Sequence, residues 1–130
     1  MYKLISTLIL SVSSISAHAI CTQQNLVGTW HDYAITTVSV ADCTFIIDSK
    51  GLLNQSSVCY NFTATSDLSP INVSAGYFKI DKSCNITGSL GANNGVNAFF
   101  KGQLDKSKAS FTGISRNSTG NLALHNFVKE

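Results

Sequence analysis

From Gly28 onward, apolar and polar side chains alternate in short runs separated by turn-forming residues. Successive side chains of a strand point to opposite faces, so this period of two selects half-buried β-strands. No sustained 3.6-residue apolar stripe competes with it, and Glu130 is the only glutamate in the chain. Ser, Thr, Asn, Gly and β-branched residues dominate, which suits strands and turns rather than helices.

Eight strands are expected: Gly28–Val40, bent near its middle, then Cys43–Asp48, Ser57–Ala64, Val73–Asp81, Asn85–Leu90, Val96–Leu104, Ser110–Ser115 and Asn121–Val128. The links between them are mostly short and rich in Gly, Asn, Asp and Ser, so antiparallel neighbours join directly as a meander. Ile80–Gly88 resembles Leu104–Gly113, and Ile47–Gly51 echoes the turn portion of both. Each is an apolar strand end followed by an Asp suited to capping a turn with its own side chain. Alternation assigns Val58, Tyr60, Phe62, Phe78, Ile80, Val96, Ala98, Phe100, Leu104, Leu122, Leu124 and Val128 to the inner face. Gly76, Gly88, Gly102 and Gly113 share that inward parity, where a sheet bends sharply or a large side chain crosses the interior. A tight turn centred on Gly51 conflicts with this assignment, because it places Phe45 on the face that Phe62 avoids. A bulge within Gln55–Ser57 would remove the conflict.

The first nineteen residues read as a signal peptide. Lys3 gives a positive start, Leu4–Val12 is mostly apolar, and Ala17-His18-Ala19 matches the small-x-small cleavage pattern. The apolar run is too short for a spanning helix, and Ile20 ahead of Cys21 is not the small residue that a lipidation site needs. Cleavage after Ala19 would leave a single domain, residues 20–130, in an exported protein of the periplasm or the extracellular space. Losing Lys3 leaves eight basic residues against seven acidic ones, a net charge of +1. The charges are sparse and scattered, so no nucleic-acid footprint is visible.

Cys21, Cys43, Cys59 and Cys84 all fall within that domain. An even number of cysteines in an exported chain of about 110 residues reads as a disulfide framework, and each bridge typically adds roughly 2–4 kcal/mol. Of the three pairings possible, Cys43–Cys59 across a hairpin with Cys21–Cys84 is favoured. Wide spacings without Cys-x-x-Cys argue against zinc. No cofactor is implied.

Eight antiparallel strands leave edges that closure would remove, so the expected fold is all-β, a small eight-stranded barrel, with a β-sandwich as the alternative. Leu26-Val27-Gly28-Thr29-Trp30 resembles the opening of the calycin barrels, the lipocalin and avidin-like families. The resemblance implies a barrel whose floor is closed by Trp30, but not a biotin or retinol specificity. Arg116 is the only arginine and lies in a turn, so the arginine that stacks on the lipocalin floor tryptophan has no counterpart.

Two functions follow from this architecture. The first is a barrel that binds a small, mostly apolar molecule against Trp30, Tyr60, Phe62, Phe78 and Phe100. The second is a module that meets a protein partner through its loops and outer surface, with Tyr77, Phe99 and Phe127 outward and an irregular Ser66–Asn72 loop. Catalysis has less support. His31 and Asp32 are neighbours on one strand and point to opposite faces. His125 lies in the last strand, where it could approach His31 on the outer surface as a weak metal site or, more simply, as a solvated histidine.

Overall fold

The computed structural model describes residues 20–67 and 69–130; the segment read from the sequence as a signal peptide lies outside them. The strands are β1 (Gly28–Thr36), β2 (Val40–Ile47), β3 (Val58–Phe62), β4 (Ile71–Ile80), β5 (Asn85–Ala92), β6 (Asn97–Leu104), β7 (Ser110–Asn117) and β8 (Leu122–Lys129). They form an antiparallel meander in which β8 returns to pair with β1 and closes a barrel. Closure joins the first and last strands, which would otherwise be edges.

The first strand, expected to run to Val40, is shorter: a turn follows Thr36, and Val40 already begins β2. Thr36 ends β1, and its Oγ1 accepts the backbone N–H groups of Val38 and Ser39 at 3.2 and 2.9 Å. The hydroxyl thus makes a turn without glycine or proline. Thr63 and Ser66 repeat the device after β3. Asp48, Asp81 and Asp105 sit in the turns at the opposite end, each accepting backbone amides of its own loop.

β3 and β4 share only the pairs Val58↔Asn72 and Cys59↔Ile71. The β2–β3 connection reinforces this seam: Leu53 N–H donates to the Gly76 carbonyl, and Phe78 N–H donates to the Gly51 carbonyl. Gly51 adopts φ +84°, and a Cβ there would strike the Phe78 carbonyl and the Gln23 amide. Ile47 pairs with Leu53 and Thr44 with Val58, so four intervening residues on one side match two on the other. The irregularity at Asn54–Ser57 therefore inserts an even number of residues and does not flip the strand's faces. Cys43, Cys59 and Phe45 share the interior, while Tyr60 and Phe62 point outward, 47% and 38% exposed. This corrects the inward assignment of Val58, Tyr60 and Phe62.

β8 is likewise inverted relative to the sequence reading. Phe127 is fully buried, whereas Leu122, Leu124 and Val128 are exposed. The register explains why. Phe127 faces Phe111 across the β7–β8 ladder, and their rings stack with centroids 4.0 Å apart.

The interior is layered. Trp30, Phe45, Phe78, Phe100, Phe111 and Phe127 are almost wholly buried and pack mostly edge to face, filling one half of the barrel. The Phe100 ring lies over Gly102 and Gly113, and Phe78 lies over Gly88. A short 3-10 helix, Gln23–Leu26, closes this end. Trp30 Nε1–H donates to the Leu26 carbonyl at 2.7 Å, and Lys129 Nζ stands 5.3 Å from the indole centroid. Cys21–Cys84 ties the N-terminal segment to the β4–β5 turn, and Cys43–Cys59 links β2 to β3. The two bridges fit an oxidising compartment.

Candidate functional site

Above the aromatic layer the wall residues become small. Ala34, Ala41, Ala92, Ala98, Ala123 and Gly91 ring an open cavity of about 200 Å³ at the other end of the barrel. Cys43, Cys59, Phe45, Val73 and Leu90 add apolar wall, and Asp32, His125, Asn61 and Thr36 are its polar members.

Asp32 and His125 belong to a three-residue relay across adjacent strands β1, β8 and β7. His125 Nδ1 lies 2.7 Å from Asp32 Oδ2, and His125 Nε2 lies 2.8 Å from Ser115 Oγ. A ring nitrogen facing a carboxylate carries its proton, so Nδ1–H donates to Asp32, and in the neutral ring Nε2 accepts the Ser115 hydroxyl proton. The imidazole packs between Phe100 and Phe127, with ring centroids 5.6 and 5.7 Å away. The relay therefore forms the boundary between the filled half and the hollow half.

Asp32 has no solvent exposure. Burial pushes its carboxyl above the ordinary 3.8, partly offset by the hydrogen bond and charge of His125, with a smaller pull from the Asn126 backbone and a small push from Asp42. Its Oδ1 is the one buried side-chain polar atom without a hydrogen-bond partner among the described residues.

A serine, a histidine and a carboxylate in this order form the constellation that activates a nucleophile. Here Asp32 and His125 line the cavity and Ser115 does not. The arrangement is suited to holding the imidazole still and fixing a buried carboxylate at the cavity floor.

The barrel is similar to several designed proteins. A de novo designed fluorescence-activating β-barrel superposes with a TM-score of 0.62 at 12% identity, covering 83% of this chain and 96% of that one. A redesigned β-barrel, mFAP1, bound to DFHBI, gives 0.64 at 17% identity, covering 88% and 100%. The likeness is one of fold. No protein-family model and no curated protein sequence matches the chain.

None of the five aromatics expected to hold a ligand lines the cavity. Trp30, Phe78 and Phe100 are sealed in the filled half, and Tyr60 and Phe62 face outward. Phe45 is the aromatic that reaches the cavity wall. His125 is interior rather than on the outer surface, where His31 stands 4.0 Å from Glu130. The relay was within reach of the sequence pattern. An inward Trp30 places Asp32, Ala34 and Thr36 on the same face, and an inward Gly113 in register with His125 does the rest.

Proposed function

We propose that this protein is an exported, calycin-type barrel that binds one small, mostly apolar ligand in the open half of its interior, without catalysing its conversion. The carrying observation is the change of side-chain size along the barrel. Six large aromatics fill one half, and a ring of alanines leaves about 200 Å³ in the other. An apolar cavity of about 150 Å³ is enough for benzene, so the space suits a ligand of one or two rings. The designed barrel bound to DFHBI supports the reading that a barrel of this size has room for such a molecule. Met1–Ala19 as a signal peptide, with two disulfides, supports action in the periplasm or outside the cell.

The test is calorimetric titration of the oxidised protein with toluene, indole and DFHBI, repeated on Ala98→Leu, which fills the cavity. Saturable binding that the substitution removes is expected. No heat from any of the three, with no rise in Tm at millimolar ligand, would overturn the reading.

A second reading rests on the outer surface. Phe62, Val40, Ile35, Leu124 and Ile114 are successive register partners across β3, β2, β1, β8 and β7, and all are exposed. A contiguous apolar row of this kind suits contact with a protein partner. Sedimentation of the protein and of Ile35→Ser/Leu124→Ser would show whether the row drives association.

A further inference from the structure

The cavity floor carries an unanswered hydrogen-bond acceptor. Asp32 is fully buried at the cavity floor, its Oδ2 is occupied by His125 and the Asn126 backbone also acts on the carboxyl, yet among the described residues its Oδ1 has no hydrogen-bond partner. Leaving a buried carboxylate oxygen without a donor costs more than leaving a neutral one. The groups around it cannot supply that donor from the relay. His125 Nδ1 is committed to Oδ2, and Nε2 is committed to Ser115. The rest of the wall is small or aliphatic, with Phe45 and the Cys43–Cys59 bridge, and its other polar members, Thr36 and Asn61, make no hydrogen bond to Oδ1. A ligand that is apolar over most of its surface and carries one N–H or O–H would complete the site.

We infer that Asp32 Oδ1 is the specificity determinant of the cavity, selecting small ring compounds that bear a single hydrogen-bond donor, of the phenol or aryl-amine class, over equally apolar compounds without one. The inference rests on the reading that the cavity holds a ligand. The relay has a definite part in it. His125 holds the carboxylate by one oxygen, and Ser115 holds His125, so the other oxygen keeps a fixed direction.

Matched pairs of similar size separate the two levels of the claim. Phenol is titrated against toluene, and aniline against N,N-dimethylaniline, with the oxidised protein at neutral pH. A hydrogen bond to a charged acceptor should favour the donor-bearing member by about tenfold or more. Asp32→Asn supplies a sharper readout. The amide oxygen can keep the His125 Nδ1–H bond, which turns an N–H₂ toward the cavity. Preference should then move to acceptor-bearing rings such as benzaldehyde. Equal affinity for phenol and toluene would overturn the role of Asp32 while leaving the ligand-binding reading intact. Binding of none of these compounds would overturn both. If the Asn variant does not fold, the matched pairs on the unaltered protein still decide the question.

Discussion

The ring of Phe100 lies directly over Gly113 on the neighbouring strand. A Cβ on Gly113 would run into that ring and into the Lys101 carbonyl behind it. The glycine is therefore part of the packing of the filled half. Gly113→Ala must displace backbone as well as a side chain, so it should cost about 3 kcal/mol or more in urea unfolding, at or beyond the usual range for overpacking. Gly95→Ala gives the comparison. Gly95 has open space around its Cβ position but φ +80°, so only the left-handed backbone conformation penalises it, by about 1–2 kcal/mol.

Asp32 should leave a signature in the pH dependence of stability. Its carboxyl is raised above 3.8 by burial, so the folded state holds this proton more tightly than the unfolded chain does. Linkage then requires stability to fall as pH rises from about 3.8 through the raised value, and to level off above it. Asp32→Asn has no such proton. The stability difference between the variant and the unaltered protein should shift in favour of Asn across that same interval, measured by chemical unfolding at stepped pH. Asp105 behaves oppositely. Hydrogen bonds from Ser110 and Ser107 hold its carboxyl below 3.8, so its stabilising effect is present above that pH and disappears as pH falls through the lowered value. Asp105→Ala should weaken the protein near neutrality and hardly at all in strong acid.

The two disulfides should differ in worth. Cys21–Cys84 closes a separation of 63 residues and Cys43–Cys59 one of 16. On loop entropy alone, removing them by paired Cys→Ser changes should cost about 4 and about 3 kcal/mol respectively. The shorter bridge also forms cavity wall. Its removal should therefore change ligand affinity, whereas loss of Cys21–Cys84 should act on stability alone.

Period-two patterning made the barrel, its meander order and most strand positions legible in the sequence, because each strand has one wet face and one buried face. The errors share a cause. In β8 the apolar residues Leu122, Leu124 and Val128 lie outside, in line with Ile35 and Ile114, so hydrophobicity no longer marked the inner face. The cue that survived was the aromatic at Phe127 in register with Phe111. The β1–β2 turn was hidden because Thr36 forms it with a side-chain hydroxyl, where turn recognition looks for glycine or proline. The candidate site was missed for a related reason. His125 reads as outward beside His31 until strand parity with the buried Phe127 turns it inward, toward Asp32.

The floor of the barrel offers a last test, which also separates the filled half from the hollow one. Trp30 is fully buried, its N–H is held by the Leu26 carbonyl, and Lys129 stands over its ring. It does not line the cavity. As the only tryptophan it should emit at short wavelength and resist quenching by acrylamide. A ligand that fills the open half should leave this emission nearly unchanged, even where calorimetry shows saturation. Strong quenching would place the ligand among the aromatics instead. Trp30→Phe would strip the buried Leu26 carbonyl of its donor, a loss of about 1–3 kcal/mol, and would also leave a void beneath the 3-10 helix. The variant should unfold at lower urea while binding the same ligands, because the relay and the alanine ring stand on the far side of the aromatic layer.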